Sequence, residues 1–301
     1  MLPEAAKVFP NYLKDNPADR ALLEAITWWH ERGDKRPIIP KVSIVIPAYN
    51  CAETIVATVN SIEQSLFFCE QCLQTALASE IIIVDDHSTD NSPSLINSLC
   101  YGGKRRFWLQ TPCNAGAGPV RNLGADHARG DLLFFLDADD LFLKEHIFLC
   151  LNHLARLPWL HYTKSRIKIE EDIHPEWQEA IENSVPFNIC LRKWCHHLIG
   201  GFPTGKAFQL LRCEDIVYRR LLAEFFLGHK IERETVHHFR YPGNALDRQI
   251  RKFTETPGRV SQETTLLEKE LSALPEIKQI MEQEKNRLKK ILQTWQENLD
   301  R

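Results

Sequence analysis

No uninterrupted apolar run in the sequence exceeds that of Leu132–Leu136, far short of the roughly 20 residues that cross a bilayer. Neither sign of charge dominates. The 37 Lys and Arg face 40 Asp and Glu, a formal net charge of −3 with His neutral. A dedicated nucleic-acid binder would carry a strong basic excess, so that role is not expected, although a local basic patch is compatible with the balance. The nine cysteines form no regular framework, and their odd number suits a reducing compartment better than a disulfide scaffold. Cys69-Glu70-Gln71-Cys72 has zinc-like internal spacing, but no second pair follows at a matching distance, which leaves ordinary helix cysteines. The first residues lack the basic start and apolar stretch of a secretory signal. The expected address is the cytoplasm. What is present is a globular composition, 44% hydrophobic and 26% charged over 301 residues, enough for one large domain or two fused lobes.

Residues 1–40 read as a helical preamble, with Leu22, Leu23, Ala25, Ile26 and Trp29 near helical spacing and Gly33 and Pro37 ending the helix. From Lys41 short apolar runs alternate with helical patterns. Val42–Ile46, Ile81–Val84, Phe107–Leu109 and Leu132–Leu136 read as strands. Ile55, Val59, Ile62 and Leu66 recur along one helix, and Pro119 stands where another begins. Such alternation implies a mainly parallel sheet covered on both faces. In the second half the pattern predicts helices near 143–154, after Pro175 and from Glu214 to Phe226, with Gly228 as a cap. Strands are predicted near 160–169 and 187–191, and Pro242-Gly243-Asn244 reads as a turn. Beyond Ser261 the composition shifts to Glu, Lys, Gln and Leu. Leu267, Leu271 and Leu274 form a seam that Pro275 interrupts, and Met281, Leu288, Leu292, Trp295 and Leu299 extend it. Lys278 and Lys285 on that seam argue against a regular coiled coil. The tail is expected to fold onto its own chain or to form an oligomer contact.

Ligands bind beyond the carboxyl ends of parallel strands, so the residues that follow each strand carry the functional reading. The first strand ends in Pro47-Ala48-Tyr49-Asn50. The second ends in Asp85-Asp86-His87-Ser88-Thr89-Asp90, and the fourth in Asp137-Ala138-Asp139-Asp140. Three carboxylates within four residues repel one another unless a metal or a polar turn relieves them, and hard oxygen ligands suit Mg2+ or Mn2+. Asp and Asn are also common in turns and caps, and Ser88-Thr89-Asp90 could simply cap a helix. Three polar loops in succession at one sheet edge favour a ligand site. Between them runs Asn114-Ala115-Gly116-Ala117-Gly118-Pro119-Val120-Arg121-Asn122. Arg121 falls where the dinucleotide fingerprint has its third glycine, so that close helix-to-strand approach is not provided for and a nicotinamide cofactor is not expected. A glycine-rich loop leading to an arginine instead lets the backbone approach a nucleotide while Arg121 faces phosphate or carboxylates.

With these residues the chain resembles family 2 glycosyltransferases of the GT-A fold over roughly residues 41–248. The markers come in the family's order: Pro47-Ala48-Tyr49-Asn50; Val84 through Asp90; Asn114 through Asn122; Gly130-Asp131 before Asp137-Ala138-Asp139; Gly200-Gly201-Phe202; and Glu214-Asp215. The resemblance implies an α/β fold, a Rossmann-like mainly parallel sheet flanked by helices with a C-terminal helical extension. It divides the chain into a preamble (1–40), a nucleotide-sugar-binding half (41–145), an acceptor-binding half (146–250) and a helical tail (251–301). It implies that Tyr49, Asp86 and Arg121 hold the nucleotide, with Pro47 and Asn50 shaping the loop. Asp139 would lie nearest a Mn2+ or Mg2+ ion and Asp137 nearer the ribose or sugar. Asp215 would be the general base, supported by Glu214. The activity implied is inverting transfer of a sugar from a nucleoside diphosphate, most readily UDP, to a saccharide, lipid-linked or other hydroxyl acceptor.

Two departures stand out. Where family members often carry a histidine in an Arg-x-His-Pro-Gly-like stretch, this chain reads His237-His238-Phe239-Arg240-Tyr241-Pro242-Gly243, with Tyr241 in its place and His238 as a nearby metal candidate. Processive synthases carry a Gln/Arg-x-x-Arg-Trp element and membrane helices, whereas this chain has Tyr218-Arg219-Arg220-Leu221-Leu222, which favours single addition. A second reading is a catalytically silent nucleotide-sugar-binding subunit that engages a partner through its C-terminal helix. A third is a nucleotidyltransferase, which would release pyrophosphate.

Overall fold

The computed structural model describes residues 16–32, 35–242, 244, 246–248, 250 and 268–299. The strands are β1 (Val42–Ala48), β2 (Ser79–Asp85), β3 (Arg106–Gln110), β4 (Leu132–Phe135), β5 (Leu141–Phe142), β6 (Tyr162–Lys168), β7 (Ile189–Arg192) and β8 (Gly228–His237). The helices are α1 (Pro17–Glu31), α2 (Ile55–Leu73), α3 (Ser92–Cys100), α4 (Ala117–His127), α5 (His146–Arg156), α6 (Pro175–Ser184), α7 (Lys193–Leu198), α8 (Lys206–Leu211), α9 (Glu214–Phe225) and α10 (Glu268–Leu299).

All eight strands form one sheet in the order β3-β2-β1-β4-β7-β6-β8-β5. The first four are parallel. β7 then runs antiparallel to both β4 and β6, and β6 pairs in parallel with β8. Strand order reverses at β1, which lies between β2 and β4, and a crevice beyond the carboxyl ends is expected at such a switch point. The apolar runs of β1, β2 and β4 are buried on both faces because successive side chains point to opposite sides. Ile44, Ile46, Ile81, Ile83, Leu132 and Phe134 face the core shared with α1, α2 and α5. Val45, Ile82, Val84, Leu133 and Phe135 face the core shared with α4, α9 and α10.

Close approach of α4 to the sheet comes from Gly124, one turn beyond Arg121. A Cβ there would lie 2.3 Å from Val45 Cγ1. The sequence reading, which found no provision for such contact at the Arg121 position, is corrected by that displaced glycine. Other expectations need similar revision. Gly228 opens β8 instead of capping α9, because the chain leaves the helix at Phe226 in an extended conformation. Pro275 lies inside the continuous α10 and does not interrupt it. That helix packs on α8 and α9 of its own chain, with Leu288 buried and Lys285 paired to Glu224 at 2.7 Å. Strands β5 and β8 and helices α7 and α8 have no counterpart in the sequence reading. Cys69 and Cys72 are buried, free thiols of α2. Leu267 and Gly243 fall outside the described residues, as do the side chains of Leu271, Trp295 and Leu299.

Candidate active site

A crevice of about 1230 Å3 opens beyond the carboxyl ends of β1, β2 and β4. Pro47, Tyr49, Asn50, Asp86, Arg121, Asp137, Asp139, Glu214 and Asp215 all line it, and His238 does not. The β1 and β2 loops are latched together. Asn50, at a φ of 47°, donates its backbone N–H to Ser88 Oγ at 2.9 Å, and its Oδ1 accepts from Thr89 N at 2.8 Å. This leaves the Tyr49 ring half exposed on the wall. Asp90 accepts from Ser92 N at 2.9 Å and from Ala52 N at 3.2 Å, a turn just before α3, whose N-cap residue is Asn91. Asp86 organises the glycine-rich loop. Its Oδ1 accepts from Ala115 N at 2.7 Å and Thr111 Oγ1 at 3.0 Å, and its Oδ2 accepts from Gly116 N at 2.8 Å.

The centre of the site is Arg121, held by α4 with only 3% of its side chain exposed. One terminal nitrogen donates to Asp137 Oδ1 at 2.5 Å and the other to Asp215 Oδ1 at 2.6 Å. Of the two partners the sequence allowed, phosphate or carboxylate, the guanidinium takes carboxylates, and its Nε has no partner among the described residues. The two anions raise the Arg121 pKa against the effect of burial. Burial pushes the Asp215 carboxyl up to about 7. Arg121 opposes that shift, while Glu214 and Asp137 add to it. Asp215 and Glu214 occupy the first turn of α9, where the helix dipole favours the charged form.

The Asp137–Asp140 turn is fixed from behind. Thr58 Oγ1 of α2 lies 2.9 Å from the Ala138 carbonyl oxygen and 3.0 Å from that of Asp140, so one hydroxyl hydrogen is shared between them. Asp140 is fully buried, with Oδ1 2.7 Å from His238 Nδ1, and burial pushes its carboxyl up to about 7. His238 is thus an anchor that ties the exit of β8 to this turn, with one ring nitrogen committed to Asp140. Burial first, then the charge of Asp137, holds Asp139 above the usual carboxylate range, against the opposing charge of His238.

On the far wall, Asn122 and Phe202 exchange two 2.8 Å hydrogen bonds, which ties α4 to the Gly200-Gly201-Phe202 loop. Gly201 has a φ of 75°, and a Cβ there would meet Asn122 Oδ1 at 2.5 Å. Phe202 stacks on Tyr218 at 3.9 Å and lies beneath the Arg121 guanidinium. Gln209 of α8 reaches over to donate to the Ala115 carbonyl at 2.9 Å. Thr58, Thr111, Asn122 and Gln209 were not singled out from the sequence as site residues. Asn122 stood only inside the Asn114–Asn122 marker with no role of its own, the other three lie in no motif, and each acts on a partner distant along the chain.

The donor set suits a hard divalent cation in one specific way. No three His, Cys, Asp or Glu among the described residues converge to hold a metal ion by themselves. Burial and the charge of Asp137 nevertheless disfavour the ionised form of Asp139, a cost that a bound cation would relieve. Mg2+-type ions bind through one or two carboxylates together with substrate phosphates, and Asp139 with Asp137 beside it fits that mode.

Comparisons with known proteins bear on the family and the fold. A glucosyltransferase of Escherichia coli, WfaP, named for transfer from UDP-Glc to GlcNAc-diphosphoundecaprenol, is 34% identical over 131 residues, covering 44% of this chain and 47% of the relative. The chain spans less than half the length of the curated relatives it matches. S. aureus TarS, solved with UDP-GlcNAc, superposes with a TM-score of 0.57 at 18% identity, over 69% of this chain and 60% of that one. The mannosyltransferase PcManGT of Pyrobaculum calidifontis, solved with GDP-Man and Mn2+, gives 0.56 at 16% identity, over 84% and 72%. These structures share the GT-A type of fold. Residues 43–210, more than half of the chain, match the family profile described as Glycosyl transferase family 2, and the chain belongs to that family.

Proposed function

We propose that the protein transfers one sugar from a nucleoside diphosphate, UDP in the first instance, to a hydroxyl acceptor, inverting the anomeric configuration in a single displacement. The observation that carries this reading is the bridge from Asp137 through Arg121 to Asp215, with bonds of 2.5 and 2.6 Å. It places a carboxylate able to act as base in the same crevice as the Asp137–Asp139 pair. Residues 41–145 supply the donor side and residues 146–250 the acceptor side. Tyr49 offers its half-exposed ring to the nucleobase, and Asp86 shapes the loop that approaches the nucleotide. Asp215 takes the proton from the acceptor hydroxyl as that oxygen attacks the anomeric carbon, and a base that titrates near 7 is matched to that task. Arg121 favours the ionised form of Asp215 against burial and aims the carboxylate. A divalent cation held by Asp139 and the diphosphate, when bound, supplies Lewis-acid stabilisation of the leaving group. UDP is favoured by the donor in the name of WfaP and by the ligand solved in TarS. Nine free cysteines fit a cytoplasmic address.

The experiment compares Asp139→Ala with Asp215→Asn. Both are expected to abolish transfer, and only the first should weaken Mn2+-dependent UDP binding measured by calorimetry. Full activity in both variants refutes the assigned roles. Nucleotide binding by the wild-type chain without turnover over many acceptors would support the silent subunit instead, a reading motivated by Tyr241 on the crevice wall in place of the family's histidine.

A further inference from the structure

The edge of the sheet opposite the crevice is formed by the loops before β1, β3, β4, β6 and β8 and by the β7–α7 junction. Five large apolar side chains left in water lie along it: Ile38 (93% exposed), Tyr101 (90%), Trp159 (62%), Leu227 (54%) and Trp194 (43%). Over β7, β6 and β8 they form one surface. The His161 ring lies 5.3 Å from that of Trp194 and 5.6 Å from that of Phe226, and Leu227 N donates to His161 Nδ1 at 2.9 Å. The Arg192 side chain donates to the carbonyls on either side of Trp159, Pro158 at 3.2 Å and Leu160 at 2.9 Å. The surface continues to β4 and β1. Lys193 donates its backbone N–H to the Asp131 carbonyl and its Nζ to that of Ala128, both at 2.8 Å, and Lys41 N donates to Asp131 Oδ2 at 2.9 Å.

The same edge is basic. Arg36, Arg192 and Lys193 sit half-buried and donate to carbonyls at helix ends and strand starts, a structural task. In front of them Lys35, Lys41, Lys104, Arg129 and Arg156 are exposed, beside the acids Glu31, Asp126, Asp131 and Glu224, the last paired to Lys285. This lies on a chain whose net charge is −3. Tryptophan and leucine set among lysine and arginine make a surface suited to a lipid headgroup layer, with rings at the polar–apolar boundary and cations on anionic lipid phosphates. Nucleic acid would leave Ile38 and Leu227 in water. A second copy of the chain would bring like charge against like charge.

We propose that this edge docks the protein onto an anionic lipid bilayer, with Trp159, Trp194 and Leu227 entering the headgroup region and Lys41 and Arg129 facing the lipid phosphates. The contact is peripheral, and no described helix is long and apolar enough to cross a membrane. The crevice, at the other ends of the strands, then faces away from the bilayer.

Co-sedimentation of the full chain with vesicles of phosphatidylcholine, with and without phosphatidylglycerol, tests this directly. Binding is expected only with phosphatidylglycerol, and it should fall as salt is raised. The double variant Lys41→Glu/Arg129→Glu alters exposed positions only, and it should weaken binding by roughly tenfold or more. Trp159→Ala/Trp194→Ala should weaken it as well and abolish the blue shift of tryptophan emission on vesicles. UDP binding, followed by calorimetry, reports that each variant is folded, and both should keep it. Four results would overturn the proposal: no binding to phosphatidylglycerol vesicles, binding that both variants retain, retention by an oligonucleotide in place of vesicles, or self-association that the tryptophan variant abolishes.

Discussion

Arg121→Met replaces the buried cation between Asp137 and Asp215 with an apolar side chain of similar length. The guanidinium is 3% exposed and each carboxylate side chain 27%, so water compensates the stranded anions only in part. Breaking a buried pair by removing one partner costs about 3–5 kcal/mol, and discounting for that exposure leaves about 2–4 kcal/mol, or a fall in Tm of roughly 5–15 °C. The second effect is on pH. Burial raises the Asp215 carboxyl to about 7 even though Arg121 draws it down. Removing Arg121 raises it further. On the proposed role of Asp215 as base, it acts ionised, so the rate rises as pH passes through its pKa, and the rising limb of the variant should move to higher pH from its place near neutrality. The link to stability has the opposite direction. The native state holds a proton on Asp215 that the unfolded chain releases near the ordinary carboxyl pKa, so this group's contribution is full in acid and is lost as pH rises through the folded value. Arg121→Lys keeps the charge, but one ammonium cannot reproduce the two-pronged contact, and it should fall between wild type and Arg121→Met in both measurements. The assays are a melting curve and a profile of kcat/KM against pH. An Arg121→Met protein with unaltered Tm and an unmoved rising limb would sink the argument.

Two further substitutions probe the frame around the site. Gly124→Val places side-chain atoms where a Cβ alone would already be 2.3 Å from Val45, and overpacking of this kind should lower stability by about 1–3 kcal/mol. Chemical denaturation measures it, and activity per folded molecule should survive. His238→Ala removes the partner 2.7 Å from the buried Asp140, at a cost of about 3 kcal/mol or more if Asp140 stays charged. Adding Asp140→Asn should recover much of that loss, and a double variant no more stable than His238→Ala would show that the pair is not coupled.

The donor half of the fold was legible because its strands are covered on both sides. Burial on two faces turns β1, β2 and β4 into continuous apolar runs, which stand out against helices with one greasy stripe. β8 escaped notice for the converse reason. Its residues Gly228–His237 interleave Lys230, Glu232, Arg233 and Glu234 with Ile231 and Val236, so no run or clean alternation survives. β5 has two residues and exists only because Leu141 and Phe142 pair with β8. The acidic cluster at Asp137–Asp140 announced itself by density of charge, whereas Asp215 stood out only through the family resemblance, since a carboxylate at a helix start is ordinary by itself. The bridge between them was not legible, because it depends on a guanidinium whose reach and direction only the packed α4 defines. The proline in α10 misled for a simpler reason: a residue that weakens a helix in isolation is tolerated where neighbouring helices hold it.

Asp137 lies 16 residues from Arg121 along the chain, whereas Asp215 lies 94 residues away. The bridge therefore joins a contact that closes within the amino-terminal half to one that must wait for most of the chain, because α9 follows every strand but β8. Closing the longer loop costs the greater chain entropy, so the Asp215 arm is the one that any loosening of the fold would release first.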